Sequence, residues 1–257
     1  TDLKFLPMLT KQDIQRNYEE FIPRGVNKEN LVHRTTGGST GTPLTVYANL
    51  DFLSLDKANT VYYMNVAGYN PFDFRSLRIY GDKIPQELIE RQQYWYEKDN
   101  KLIVSCYHFN NETLPKYIAK FEEYSPDYIH SRASAILPVC RYLKESGKKF
   151  SVGAVFLDGE FLSSAQRLLM EEVFLCKVYN VYGHTEGCAV GITFPDSNFL
   201  HFMPQVGILE LCDAEGNEVV EEGQRGEMVV TGFNNRVFPL IRYRTRDFGI
   251  HTNLQGS

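Results

Sequence analysis

Residues 154–183, AVFLDGEFLSSAQRLLMEEVFLCKVYNVYG, decide the fold. Residues 154–157 form an apolar run that predicts a strand, and residues 163–174 predict a helix with Ser163 as its N-cap. A second strand is predicted over 177–182, ending at a glycine. Strands and helices that alternate at these lengths favour an α/β fold with a substantially parallel sheet.

The same alternation extends toward the amino terminus. The sequence predicts helices over 10–20, 51–66, 84–95, 112–123 and 133–145, and strands over 76–81, 102–107 and 127–130. After residue 187 come short β-like runs without helices between them, at 189–194, 206–211 and 226–230. These runs predict an antiparallel sheet or small barrel. We therefore expect an α/β core over 1–187 and a smaller β-rich subdomain over 188–257, together forming one unit.

Composition excludes several classes of function. The chain has 257 residues, a net charge of −5 and no basic stripe, so we expect no nucleic-acid partner. It contains no apolar run of about 18 residues, so we expect no membrane span. Five unpatterned cysteines and no signal-peptide layout favour a reduced, cytoplasmic protein, and a homodimer is compatible with the sequence. The first residue is Thr1 and the last is Ser257, which indicates that both ends are cut.

The strongest local signal is the segment TTGGSTGTP, residues 35–43. Its glycines allow a tight turn that brings backbone N–H groups close to a polyanion, and its hydroxyls add donors to phosphate oxygens. It is neither a Walker loop nor a dinucleotide fingerprint. Composition alone leaves a flexible Gly/Thr linker equally open. Three further segments favour the binding loop.

These segments are residues 179–186 (YNVYGHTE), 158–160 (DGE) and 239–247 (PLIRYRTRD). The first two follow predicted strands, and ligands of parallel sheets bind at the carboxyl ends of strands. An aromatic ring can stack on a base, a carboxylate can hold Mg²⁺ or a ribose, and arginines can meet phosphate. Taken singly, each has a structural explanation: Tyr182 in the core, Glu186 as a solvated residue, Asp247 in a turn.

In this order the segments resemble the conserved blocks of adenylate-forming enzymes of the acyl-CoA synthetase superfamily. The loop resembles the superfamily's phosphate loop, and residues 182–186 (YGHTE) and 243–247 (YRTRD) resemble two further blocks. Residues 238–243 (FPLIRY) and 6–14 (LPMLTKQDI) are similar to the phenylacetate–CoA ligase branch, and within it to relatives associated with capsular polysaccharide biosynthesis. The resemblance implies the large N-terminal domain of such an enzyme, with an ATP-binding core over 1–187 and a subdomain over 188–257 that completes the nucleotide site.

The resemblance also implies roles for individual residues. Phosphate contacts would be made by Thr35, Thr36, Gly38, Ser39, Thr40 and Gly41. Other nucleotide contacts would be made by Gly159, Glu160, Tyr182, Gly183 and Asp247. Catalytic residues would be Thr185, Glu186 and Arg244, with Glu186 also the Mg²⁺ ligand. His184 interrupts the ATP block, and we expect it in the acyl pocket.

The function implied is ATP-dependent activation of a carboxylic acid as an acyl-adenylate, with transfer to coenzyme A. Two alternatives remain open: acyl transfer to an amine or a sugar in polysaccharide biosynthesis, and a degenerate, non-catalytic nucleotide-binding module. The degenerate reading rests on two departures, Leu44 for the usual Lys and Arg246 for the usual Gly, and on a C-terminal lid domain expected to be absent from these 257 residues. We do not expect zinc at His184, Cys188, His201 and Cys212, because their spacing is irregular.

Overall fold

Helices and strands alternate along the chain in a computed structural model that describes residues 2–36, 43–194, 197 and 199–252. The helices are α1 (Lys11–Arg16), α2 (Leu50–Val66), α3 (Gln86–Glu90), α4 (Leu114–Tyr124), α5 (Ala133–Glu145) and α6 (Ser164–Phe174). The strands are β1 (Val32–Thr35), β2 (Thr45–Ala48), β3 (Ser76–Tyr80), β4 (Trp95–Lys98), β5 (Lys101–Ser105), β6 (Tyr128–Ser131), β7 (Ala154–Asp158), β8 (Lys177–Gly183), β9 (Val190–Thr193), β10 (Leu200–Phe202), β11 (Gly207–Cys212), β12 (Arg225–Gly232) and β13 (Tyr243–Ile250). Short 3-10 helices cover Asp2–Phe5, Tyr18–Phe21, Lys28–Asn30 and Cys106–His108.

The chain divides into two compact units. The first unit comprises residues 1–59, 183–190 and 202–257, and the second comprises residues 60–182 and 191–201. Both units are discontinuous in sequence, unlike the division predicted after residue 187, because residues 1–59 cluster with the carboxy-terminal strands. In the described part of the chain, none of the helices has both the length and the apolar character that a membrane crossing requires.

The second unit is built on an eight-stranded sheet with the strand order β10-β9-β8-β7-β6-β3-β5-β4. Strands β8, β7, β6, β3 and β5 run parallel, so their carboxyl ends lie along one edge. Helices α4, α5 and α6 bury their apolar sides in one core with strand residues such as Leu77, Ile129 and Val155. The predicted α/β fold with a parallel-rich sheet is confirmed.

One predicted helix, over 84–95, is wrong in its second half. Helix α3 ends at Glu90, and the chain then turns into β4, which pairs antiparallel with β5. The connection is a two-residue turn in which Asp99 and Asn100 both adopt positive φ, at 48° and 55°. Such a turn matches the twist of a hairpin, so the aromatic residues before it form a strand and not a helix.

The first unit contains two small antiparallel sheets, β1-β2 and β11-β12-β13. The predicted antiparallel β region is confirmed for β11, β12 and β13, whereas the run over 189–194 joins the large sheet through β9. Arg242, only 5% exposed, bonds the amino-terminal residues and the β11-β12-β13 sheet together. Its guanidinium donates to the carbonyls of Lys4 and Leu6 at 3.1 and 2.7 Å and pairs with Glu210 at 3.1 Å.

Candidate functional site

The predicted phosphate loop is held at its base by β1 and β2. The Thr36 N–H donates to the Leu44 carbonyl at 2.8 Å, and the Leu44 N–H donates to Thr36 Oγ1 at 2.9 Å. The hydroxyls of Thr35 and Thr45 lie 2.9 Å apart in the same register. The structure therefore places Thr35 and Thr36 at the neck of the loop. The other predicted phosphate contacts, Gly38, Ser39, Thr40 and Gly41, lie outside the described residues.

Glu186 is a buried carboxylate with two side-chain partners in the first unit. Its Oε1 accepts a hydrogen bond from the Tyr243 hydroxyl at 2.9 Å, and its Oε2 lies 3.0 Å from His184 Nδ1. Burial acts to raise the pKa of Glu186, but the hydrogen bond and the attraction of His184, together with the Tyr243 bond, outweigh it and hold the pKa below its usual value. We call Glu186, His184 and Tyr243 the Glu186 trio. In this trio the Glu186 carboxylate is ionised at neutral pH.

The two residues that follow Glu186, Gly187 and Cys188, are tightly packed. Gly187 has a φ of +70°, and a Cβ at that position would come within 2.4 Å of the Phe52 ring. The next residue, Cys188, is 2% exposed, and burial followed by the Glu186 charge raises the pKa of its thiol to about 12. Cys188 is therefore a neutral packing residue and not a nucleophile.

The Glu186 carboxylate fits the predicted Mg²⁺ ligand. Carboxylate oxygens are the ligands that Mg²⁺ prefers, and each oxygen has two lone pairs. The trio uses one hydrogen-bond position on each oxygen, so both keep acceptor capacity. His184 was predicted in the acyl pocket; its side chain, 10% exposed, lies against Glu186. Thr185, between them in sequence, is half-buried.

Strand β13 carries the other predicted residues of the first unit. Arg244 pairs with the buried Glu227, with its Nε at 2.8 Å from Glu227 Oε2. The same carboxylate accepts the Arg246 N–H at 3.0 Å, where the β12–β13 register shifts. Asp247, the predicted ribose ligand, is exposed, and its N–H donates to Thr245 Oγ1 at 3.0 Å. Glu227 thus orients the strand that presents these residues, a role that sequence analysis missed.

In the second unit, Gly159 and Glu160 follow the carboxyl end of β7. Gly159 has a φ of +68°, which favours glycine. Both oxygens of the Glu160 carboxylate accept from Ser134, one from its N–H and one from its hydroxyl, each at 2.7 Å. Glu160 therefore caps the amino end of α5, a structural role beside the predicted adenine contact. Tyr182 is half-buried in β8, and Gly183 ends that strand.

A second carboxylate group lies at the end of β7. Asp158 Oδ2 lies 3.0 Å from His130 Nε2, and the Tyr80 ring meets the His130 ring edge-on at 5.5 Å. Burial acts to raise the pKa of Asp158, but His130, then Tyr80 and Arg132, lower it below its usual value. Sequence analysis named Asp158 only as part of a motif and missed His130 and Tyr80. The signal was present, since all three are polar residues at the ends of predicted strands.

The described residues contain no group of three or more His, Cys, Asp or Glu side chains that could hold a metal ion. His201 lies against the Phe194 ring at 5.2 Å, and Cys212 ends β11.

Comparison with known proteins places this geometry in a family. No family model matches the chain. The chain is 30% identical over 246 residues to protein CapK of Staphylococcus aureus, covering 94% of this chain and 52% of that protein. It is 25% identical over 280 residues to the phenylacetate–coenzyme A ligase of Escherichia coli strain K12, covering 96% of this chain and 57% of that ligase. These relatives support the adenylate-forming superfamily and, within it, the phenylacetate–CoA ligase branch with its CapK-like relatives.

The chain spans about half the length of the curated relatives it matches. Solved structures share its fold. A 2-hydroxyisobutyryl-CoA ligase in an open conformation, in complex with 2-HIB-AMP and CoA, aligns with a TM-score of 0.71 at 16% identity, covering 98% of this chain and 56% of that one. A long-chain-fatty-acid–CoA ligase of Archaeoglobus fulgidus aligns with a TM-score of 0.60 at 17% identity, covering 88% and 50%.

The two departures from the adenylate-forming pattern now have physical explanations. Leu44, where the superfamily usually has Lys, is 1% exposed and packs in the core. Arg246, where the superfamily usually has Gly, adopts a φ of +66°, in the left-handed region that favours glycine. The backbone therefore keeps the conformation suited to glycine. The side chain of Arg246 extends to Gln12, with its Nη2 at 3.3 Å from Oε1.

Proposed function

We propose that the protein activates a carboxylic acid with ATP as an acyl-adenylate and then transfers the acyl group to coenzyme A. The observation that carries this proposal is the buried, ionised carboxylate of Glu186, held by Tyr243 and His184 within the YGHTE block. The similarity to protein CapK and to phenylacetate–CoA ligases supports it. So does the loop neck at Thr35 and Thr36.

In this proposal the loop N–H groups and hydroxyls bind the β- and γ-phosphates, and Thr185 contacts the α-phosphate. Glu186 would hold Mg²⁺, which neutralises phosphate charge when bound. Gly159, Glu160 and Tyr182 are assigned to the adenine, and Asp247 to the ribose hydroxyls. Arg244, fixed by Glu227, is assigned to the negative charge that develops during adenylation.

The first half-reaction is an in-line displacement. A carboxylate oxygen of the acid attacks the α-phosphorus, the new P–O bond forms, and the bond to pyrophosphate breaks. Little covalent chemistry is required of the protein, so positioning and fixed charge supply most of the rate. In the second half-reaction the thiol of coenzyme A attacks the acyl carbon and AMP leaves. The Escherichia coli relative is named a phenylacetate–coenzyme A ligase, and the 2-hydroxyisobutyryl-CoA ligase was solved with CoA; both favour a thiol acceptor.

The test has a binding arm and an activity arm. Calorimetry with ATP and Mg²⁺ should show binding that Asp247→Ala weakens. Acid-dependent exchange of pyrophosphate into ATP by the complete natural protein should fall at least 100-fold in Glu186→Gln. Glu221→Gln, which alters an exposed carboxylate of the first unit, is the matched control. The proposal is overturned by a wild type that binds no ATP, or by exchange that survives Glu186→Gln.

A further inference from the structure

Four polar side chains line up on one face of the large sheet, at its carboxyl edge. Arg78 lies opposite His130, which lies opposite Phe156 in the next strand. Because side chains alternate along a strand, Tyr80 and Asp158, each two residues further on, share that face. We call Arg78, Tyr80, His130 and Asp158 the edge cluster.

The rest of this face is aromatic. Phe156 stacks on Tyr179 with ring centroids 5.0 Å apart and meets Tyr63, Tyr69 and Tyr128 at 6.4, 5.7 and 5.7 Å. Packing explains those rings, but it does not explain four polar groups at the edge. Ligands of parallel sheets bind at this edge, outside the carboxyl ends of the strands.

The edge cluster is open to solvent. The side chain of Asp158 is 37% exposed and that of His130 is 25% exposed, so a ligand can reach both. Arg78 is paired with Asp82 at 2.9 Å and lies over the Tyr80 ring at 3.9 Å. Within and beside the cluster, Arg78 is thus paired with Asp82, and His130 with Asp158.

Two groups beside these pairs have hydrogen-bonding capacity left over. Arg132 is exposed and has no carboxylate partner among the described residues, and its Nε lies 3.6 Å from the position of a Cβ on Gly159. The Tyr80 hydroxyl is buried beside the Asp158 carboxylate, close enough to lower the pKa of Asp158, but it makes no well-directed hydrogen bond in the described part of the chain. A buried hydroxyl that lacks a well-directed hydrogen bond weakens the folded protein, so the cluster is better suited to holding a ligand than to stabilising the fold.

We propose that the edge cluster binds hydroxyl groups of the acid, so that the acid activated is a hydroxylated one. This rests on the proposed function, in which Gly159 and Glu160, directly after Asp158, contact the nucleotide. A hydroxyl is both donor and acceptor: it donates to the Asp158 carboxylate and accepts from Arg132 or His130. An unhydroxylated acid displaces water from Arg132 and from the His130–Asp158 pair without replacing the lost hydrogen bonds, and a site built to bond a hydroxyl rejects such an analogue strongly.

The test compares acids that share a carbon skeleton. Pyrophosphate exchange by the complete natural protein is measured with glycerate, 3-hydroxybutyrate and gluconate against propionate, butyrate and hexanoate. We expect at least one hydroxylated acid to exceed its partner 100-fold or more in kcat/KM. Arg132→Ala and His130→Gln should reduce that preference at least tenfold through the KM for the acid, leaving the KM for ATP unchanged. Arg141→Ala, on exposed α5 surface, and His108→Gln, outside the cluster, should leave the preference as it is.

Two results overturn the inference while the proposed function stands: unhydroxylated acids used as well as their partners, or a preference that survives both Arg132→Ala and His130→Gln. Binding of ATP without exchange on any hydroxylated acid also overturns it. Failure to bind ATP at all would instead contradict the proposed function itself.

Discussion

Glu186 in the first unit and Asp158 in the second are built from the same parts. Each carboxylate lies 3.0 Å from a histidine ring nitrogen and has a tyrosine beside it. Each is followed by a glycine in the left-handed region, Gly187 at φ +70° and Gly159 at φ +68°. In both, the histidine and tyrosine outweigh burial and hold the pKa of the carboxylate below its usual value.

The two carboxylate groups differ in how far their side chains are exposed to solvent. The side chains of Glu186 and its histidine are 7% and 10% exposed, whereas those of Asp158 and its histidine are 37% and 25% exposed. Tyr243 donates a hydrogen bond to Glu186, whereas the Tyr80 hydroxyl lies beside Asp158 without a well-directed hydrogen bond in the described residues. A closed group holds one charge in one geometry, as a metal ligand requires. An open group keeps capacity for a ligand, as substrate recognition requires.

The largest expected effect separates the two carboxylates by kinetic parameter. In pyrophosphate exchange, Glu186→Gln should lower kcat at least 100-fold, because in the proposed function Glu186 acts on the charge that develops in the reaction. Asp158→Asn should act mainly through the KM for the acid, with kcat within about tenfold. Steady-state kinetics with ATP and acid varied separately measures both. Equal losses of kcat in the two variants would contradict the different roles that we propose for the two carboxylates.

The next largest expected difference is the loss of stability when each of the two glycines is replaced by alanine. Gly187→Ala should lower the free energy of unfolding by roughly 2–5 kcal/mol, because the new methyl overlaps the Phe52 ring and the residue is held at positive φ. Gly159→Ala should cost only about 1–2 kcal/mol, since it adds backbone strain alone. Urea unfolding of each variant measures this. Adding Phe52→Leu should recover part of the Gly187→Ala loss, and a loss as large in Gly159→Ala would contradict this account.

The tyrosines sharpen the comparison further. Tyr243→Phe removes a hydrogen bond to a buried charge and should destabilise the protein by about 1.5–3 kcal/mol. Tyr80→Phe removes a buried hydroxyl whose contact with Asp158 is poorly directed, and it should change stability by no more than about 0.5 kcal/mol, or stabilise slightly. Thermal unfolding of the two variants, measured side by side with the wild type, gives both changes in stability. A costly Tyr80→Phe would show that its hydroxyl is already satisfied in the folded protein.

The smallest effect lies in the dependence of stability on pH. A carboxylate whose pKa is lowered by folding contributes stability above its unfolded pKa, about 4.3 for Glu, and loses it as pH falls through the folded pKa. The stability gap between wild type and Glu186→Gln should therefore be constant from about pH 7 to 5 and narrow below about pH 4. Urea titrations across this range measure the gap. For Asp158→Asn the narrowing should be weaker, because solvent screens a carboxylate that is more than a third exposed. A gap that widens in acid would reverse the sign we assign.

Sequence patterns predicted most of the elements because the signals for them are local. Ser163 was predicted as an N-cap, and it forms a capping box with Gln166, three positions on. The helix predicted over 51–66 matches α2, at Leu50–Val66. The helix predicted over 84–95 was wrong after Glu90, because the residues that follow turn into β4 and pair with β5 in spite of their helical spacing. The roles predicted for the site residues stay predictions.

The sequence by itself determined the α/β class, through alternating strands and helices, and it indicated the family, through the order of its blocks. Only the tertiary structure brought Tyr243 to Glu186, 57 residues away, and His130 to Asp158, 28 residues away. Helix caps and apolar periods arise from neighbours in the chain, so a pattern can express them. Contacts between distant side chains depend on strand register and on what the core excludes. For this reason two carboxylates, each with a histidine and a tyrosine beside it, became one closed group and one open group.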